Sequence, residues 1–138
     1  MRLLKYTVLI IVLLTGCINS AHKSINPTAD LSNIKIIHIE QFARDSRGLD
    51  KVIAEQLNSM GYTASTGNMT PENIDAIITY RDKWRWDMSM YLLSISIKIR
   101  DPDTLFPMAN AISLHTSVTR QSPSTMIREA LNNMFLSN

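Results

Sequence analysis

A single cysteine, four glycines and three histidines among 138 residues leave few ways to build a reactive centre. With one thiol the chain can form no internal disulfide, so its fold must stand on a hydrophobic core even in an oxidising compartment. The glycines never cluster into a phosphate-cradling loop, and no serine sits in the G-x-S-x-G setting of a nucleophile elbow. His22, His38 and His115 are far apart in sequence and lack the short spacing of a zinc motif. His38 and His115 could meet across a sheet with a carboxylate such as Glu40, but satisfied or solvent-facing histidines are the simpler expectation, and no metal site is expected. Asp101 and Asp103 flank Pro102, which is turn chemistry rather than an acid–base pair. Missing too is any apolar run near the ~20 residues that span a bilayer. Together these absences point away from an enzyme and from any cofactor.

What is present begins at the amino end. Arg2 and Lys5 form a short basic start, Val8 to Leu14 is unbroken apolar sequence, and small residues follow. A charged start, a brief apolar stretch and a small-residue processing point make a secretory signal peptide over residues 1–16. The stretch Leu14-Thr15-Gly16-Cys17 then resembles the lipobox of bacterial lipoproteins. That resemblance implies a diacylglycerol thioether on the Cys17 sulfur, cleavage before Cys17 and an N-acyl chain on the new amino group. The thiol is thus expected to be an anchor. Each buried methylene contributes about 0.8 kcal/mol, so two or three acyl chains hold a protein on a membrane essentially permanently. Ile18 follows the cysteine where an aspartate, in such lipoproteins, retains the protein at the inner membrane. The implied address is therefore the inner leaflet of the outer membrane, facing the periplasm.

Processing also changes the charge. The full chain has 14 Lys and Arg against 12 Asp and Glu, and residues 1–16 contain Arg2 and Lys5 but no acid, so the mature chain has 12 of each sign. The basic balance belonged to the signal peptide, and nucleic-acid binding loses its electrostatic motive.

Residues 17–33 read as a lipidated start and flexible tether, polar and small with Pro27, although part of this segment could serve as an edge strand. A single α+β domain is expected over residues 34–138. "IKIIHIEQF" is a covered strand. Asp45 or Ser46 can open a helix whose Leu49, Val52, Ile53, Leu57 and Met60 share one face, with Gly61 closing it. "YTAST" is a short strand. "DAIITYRDKW" and "SMYLLSISIKIRD" pair as long strands, the second with Tyr91, Leu93, Ile95, Ile97 and Ile99 on one face. "DPDTLFP" turns the chain into "AISLHTSV". Ser122 caps a last helix with Pro123 at its first position, and Ile127, Ala130, Leu131, Met134 and Phe135 form its inner stripe. The expected fold is a two-layer sandwich: a mostly antiparallel sheet of four or five strands with two amphipathic helices on one face, in the order β-α-β-β-β-β-α. This plan behind a lipobox resembles the lipopolysaccharide-assembly lipoprotein and the amino-terminal domain of the Tol-system β-propeller protein. The stretch "YRDKWRWDMSMYLLSISIKIRDPDT" is similar to a group of Gram-negative outer-membrane lipoproteins of uncharacterised function. That resemblance implies an envelope role and transfers no catalytic residue.

One segment stands out for recognition. In "YRDKWRWDM", Tyr80, Trp84 and Trp86 fall on one pleat face, Arg81, Lys83 and Arg85 on the other, and Met88 lies at the hairpin end. Trp and Arg are favoured interface anchors, so these residues are the candidate partner-binding set. The competing reading has both tryptophans capping the core while the cations pair with Asp82 and Asp87. The functional expectation is a non-enzymatic lipoprotein, held to the membrane by its lipid, that binds a protein partner in envelope assembly or maintenance. The alternative is a small periplasmic ligand or peptidoglycan binder, or an inhibitor of an envelope enzyme.

Overall fold

The computed structural model describes residues 20–136; the expected signal peptide and lipobox, with Cys17, lie outside the described residues. The elements are β1 (Ser20–Ile25), β2 (Ile36–Glu40), α1 (Leu49–Ser59), β3 (Thr63–Gly67), β4 (Ala76–Asp87), β5 (Ser89–Arg100), β6 (Pro107–Leu114), a 3₁₀ turn (Ser117–Thr119) and α2 (Pro123–Phe135). The strands form one six-stranded sheet in the order β1-β6-β5-β4-β2-β3. The pairs β1–β6, β6–β5 and β5–β4 are antiparallel, whereas β2 is parallel to both β3 and β4. Parallel neighbours need a crossover, and α1 supplies the one between β2 and β3.

This sheet has more strands than the four or five expected, because residues 17–33 are not all tether. The segment SAHKSI pairs along its whole length with β6, from Ser20 opposite Leu114 to Ile25 opposite Ala109. An edge strand needs only its backbone ladder and little apolar sequence, so its composition reads as linker. β6 also begins earlier than "AISLHTSV" suggests and stops at Leu114. Its core-facing positions are Ala109, Ala111 and Ser113 rather than large residues. Small side chains there let α2 lie close to the sheet, where Ala130 is likewise fully buried.

Both helices cover one face, linked to each other by a Gln56 Nε2 to Ser124 Oγ hydrogen bond of 3.1 Å. Ile37, Ile39, Ile78, Tyr80, Ile95, Ile97 and Ile99 meet Leu49, Ile53 and Leu57 of α1 and Met126, Ile127, Leu131 and Met134 of α2 in one core. Each fully buried aliphatic side chain contributes about 1.5–3 kcal/mol. The expected stripe on β5 holds at Ile95, Ile97 and Ile99 but fails beyond them. A bulge opposite Lys83 and Trp84 leaves Leu93 without a β4 partner, which flips the alternation. Leu92 is therefore buried, and Leu93 is only half-buried.

The helix ends follow their local chemistry. Asp45 Oδ2 accepts from the Leu49 amide at 2.6 Å and Oδ1 from that of Arg47 at 2.8 Å, reaching past Gly48, which turns the chain at φ 68°. Ser122 Oγ accepts from the Thr125 amide at 3.1 Å ahead of Pro123.

Candidate functional site

Strand alternation splits the YRDKWRWDM segment into parts with different tasks. Tyr80 is buried; its hydroxyl donates to Asp45 Oδ2 at 2.7 Å and accepts from the Phe42 amide at 3.3 Å. Trp84 is half-buried against the core, and its indole donates to Asp82 Oδ2 at 2.6 Å. The Arg47 guanidinium lies 4.0 Å above the Trp84 ring. Tyr80 and Trp84 therefore leave the candidate partner-binding set: both hold the 41–48 loop and the helix layer to the sheet. Asp82 is occupied by the indole rather than by a cation. Trp86 and Met88, in contrast, are 71% and 90% exposed at the hairpin end. The competing sequence reading thus describes Trp84 and misses Trp86.

Arg81, Lys83 and Arg85 alternate onto the opposite face, which neither helix covers. There they meet cations that sequence reasoning did not single out. Arg81 faces Ser96 across the ladder, while Thr79 faces Lys98 and Ile77 faces Arg100. The result is a five-cation stripe on two adjacent strands, with Glu40 and Asp87 the carboxylates that strand alternation places on the same face. Asp87 is already engaged by Arg120 at 3.5 Å. Among the described residues, none of the five cations forms an ion pair. Arg81 stacks 4.2 Å over the Phe42 ring, and Arg100 donates to the Leu105 carbonyl at 3.3 Å. A depression of about 90 Å³ between Thr79, Arg81, Ser96, Lys98 and Arg100 lies at the end of the stripe away from the hairpin turn. Lys98 and Arg100 were legible only through the pairing of β4 with β5, because nothing in their own segment distinguishes them.

Two of the three histidines, His38 and His115, are buried and hydrogen-bonded within the fold, while His22 is exposed on β1. His38 bonds Ser65 Oγ at 2.9 Å and the Gly67 carbonyl at 3.3 Å. His115 bonds Glu129 Oε2 at 2.8 Å and the Thr119 carbonyl at 3.1 Å. β4 and β5 lie between β2, which holds His38, and β6, which ends before His115, so the two imidazoles do not converge. Among the described residues no group of three or more His, Cys, Asp or Glu is placed to hold a metal. Glu129 is a residue sequence reasoning missed. Burial raises its pKa, but hydrogen bonds from His115 and Ser113 outweigh that, so it lies below the ordinary carboxylate value. A cavity of about 490 Å³ opens beside it, lined by His115, Gln121, Thr125, Arg128 and Asn132. Ser113 is fully buried, and its hydroxyl donates to Glu129 at 2.7 Å rather than to the imidazole. That order provides no nucleophile–base pair. Asp101 is a turn residue: one carboxylate oxygen accepts from the Asp103 and Thr104 amides at 3.1 and 2.8 Å.

No helix among the described residues is long and apolar enough to cross a membrane. No family model matches the chain, and no curated protein matches it. Among solved structures it is similar to the PelC dodecamer of Paraburkholderia phytofirmans, with a TM-score of 0.61 and 13% identity over 83% of this chain and 96% of that one. A PDZ domain protein of Parabacteroides distasonis gives a TM-score of 0.53 and 11% identity over 95% of this chain and 40% of that one. TolB of Acinetobacter baumannii gives 0.46 and 20% identity over 83% of this chain and 32% of that one, too low a score to bear an argument. At these identities the likeness is one of fold: a small α+β domain with a single sheet backed by two helices.

Proposed function

We propose that this chain is a lipid-anchored outer-membrane lipoprotein facing the periplasm, without enzymatic activity, whose domain binds a protein partner in envelope assembly or maintenance. The observation that carries the binding role is the charge stripe on the uncovered sheet face, where Arg81, Lys98 and Arg100 stand together and Lys83 and Arg85 continue the row towards the hairpin end. It suits a partner with an acidic surface. The anchor rests on Leu14-Thr15-Gly16-Cys17, in keeping with the group of small Gram-negative lipoproteins that the central segment resembles. The Ser113–Glu129–His115 arrangement supports the non-enzymatic reading, since the carboxylate separates hydroxyl from imidazole.

The test compares wild type with Arg81→Gln/Lys98→Gln/Arg100→Gln in capture from detergent-solubilised envelopes. A stoichiometric protein that wild type retains and the variant loses, with unchanged melting, supports the reading. Capture should also fall with added salt, because exposed charges are screened over ~10 Å at 0.1 M. Equal capture by both forms refutes the stripe, and a glycan shift without a protein partner supports the ligand-binding alternative.

Self-association is a second reading, favoured by one observation. The PelC structure is a dodecamer, and here the outer backbone edges of β1 and β3 have no strand partner among the described residues. Open edges are templates for a second chain. Light scattering on the solubilised protein decides it: a monomer excludes this reading.

A further inference from the structure

Three features converge on one end of the sheet. The first is exposed apolar surface. β6 stops at Leu114, opposite Ser94, but the β4–β5 ribbon continues without a third strand from Trp84 to its turn. At ~3.4 Å per residue it projects about 15 Å further. Trp86, Met88 and Met90 stand at its tip, exposed by 71, 90 and 49%. Val118, 87% exposed, lies on the 3₁₀ turn that precedes Arg120. Arg120, just past that turn, binds the tip through the Asp87 carbonyl and Ser89 Oγ and stacks 4.5 Å from the Tyr91 ring. Monomeric domains seldom leave such groups clustered without a use.

The second feature is a local conflict. Met88 sits at the turn with φ 59°, a left-handed position that favours Gly, Asn or Asp because a side chain there costs energy. A long apolar residue at that place serves neither the turn nor the core. Strain of this kind is characteristic of functional positions.

The third feature is where the chain enters the fold. β1 begins at Ser20 opposite Leu114, on the level of Ser94 and hence at the ribbon's end of the sheet. Cys17 precedes Ser20 by three residues, at most ~11 Å of chain. Any lipid on Cys17 is therefore tethered beside the projecting hairpin. The charges suit an anionic surface as well: Lys83 and Arg85 are exposed behind the apolar tip, and Asp87 is held by Arg120.

We infer that the β4–β5 hairpin tip is a membrane-docking element. Trp86, Met88 and Met90 enter the interfacial layer of an anionic phospholipid surface, while Lys83 and Arg85 meet its headgroup phosphates. The orientation rests on acylation of Cys17, the reading proposed above. Docking at this end leaves the Arg81, Lys98 and Arg100 region clear of the surface and fixes the direction in which it faces a partner.

The test uses the purified protein in phosphatidylethanolamine–phosphatidylglycerol vesicles. Trp84→Phe leaves Trp86 as the sole tryptophan. Its emission is expected to shift to shorter wavelength and to be quenched when brominated lipid replaces ordinary lipid. The reciprocal Trp86→Phe form should stay unquenched, and subtracting its signal from wild type gives the same answer should Trp84→Phe fold poorly. The mass of the Cys17 peptide reads the anchor separately. With the acyl mass present, an unquenched Trp86 overturns the docking and leaves the anchor standing. Without it, quenching on added vesicles keeps the docking and overturns the anchor, whereas no quenching overturns both. Equal quenching of the unacylated protein by neutral phosphatidylcholine vesicles overturns the role given to Lys83 and Arg85.

Discussion

Tyr80→Phe isolates the joint between the helix layer and the sheet, because it removes one oxygen and leaves the buried ring in place. That hydroxyl donates to Asp45 Oδ2 at 2.7 Å and accepts from the Phe42 amide at 3.3 Å. Asp45 in turn receives the Leu49 and Arg47 amides, so one bond supports the entry of α1. A hydrogen bond to a charged group is worth about 1.5–3 kcal/mol. The expected loss is therefore about 2 kcal/mol, or roughly 8 °C in melting temperature for a domain of this size. The pH dependence carries a sign. Burial raises the Asp45 pKa, but the Tyr80 hydroxyl and then the Arg47, Leu49 and Asp50 amides outweigh it, leaving the carboxyl below its ordinary value of 3.8. A depressed folded-state pKa gives stability that is present above the unfolded value and lost as pH falls through the folded one. Removing the Tyr80 bond shrinks that depression. The gap between wild type and variant should thus be full at pH 7 and narrow towards pH 3. Urea unfolding followed by circular dichroism at both pH values measures it. A loss under ~0.5 kcal/mol at pH 7, or a gap that widens on acidification, would refute the network.

Three further outcomes are expected. Ile97→Ala should cost about 2–5 kcal/mol by urea unfolding, whereas Lys98→Ala on the uncovered face should stay within ~0.5 kcal/mol; equal losses would mean the β5 register is wrong. Ser122→Ala should remove about 1 kcal/mol, the ordinary loss for a helix N-cap, and an unchanged midpoint would show that Pro123 alone starts α2. Cys17→Ser should abolish detergent-phase partitioning of the expressed protein, and partitioning like wild type would sink the lipobox reading.

The two helices were legible because each announces itself twice, once by apolar spacing and once by its ends. Ser122-Pro123 starts α2 where the sequence places it, and Gly61, at φ 95°, follows α1 as expected. The tight β4–β5 pair was legible from alternation. What composition hid was pairing that depends on backbone alone. SAHKSI has one residue of core quality, Ile25, yet it completes the sheet through its ladder to β6. Parallel pairing of β2 with β4 was equally hidden, since a strand's sequence does not state the direction of its neighbours. The bulge by Leu93 was hidden for a related reason: Leu92 and Leu93 are chemically alike, and only the extra residue on β5 decides which one turns inward.

The candidate site was half legible, and the half that was missed has a physical cause. Alternation along β4 correctly put Arg81, Lys83 and Arg85 on one face, but one strand cannot show what stands beside it. Lys98 and Arg100 read as ordinary solvated positions in a plain alternating strand until the ladder sets them next to β4. Aromatic residues posed the opposite problem, since Tyr80, Trp84 and Trp86 share a face yet differ in depth. The core ends between Trp84 and Trp86, where the helix layer and β6 run out and the ribbon goes on without a third strand. Residues 17–138 carry twelve acidic and twelve basic side chains, a balance that argued against nucleic-acid binding. Net charge, however, is a sum over the whole surface and is blind to arrangement. Five of those twelve cations lie on two neighbouring strands, while Asp45, Asp75 and Asp101 are spent accepting backbone amides. A neutral chain can therefore present a cationic face, and that face, rather than the total, is what an acidic partner meets.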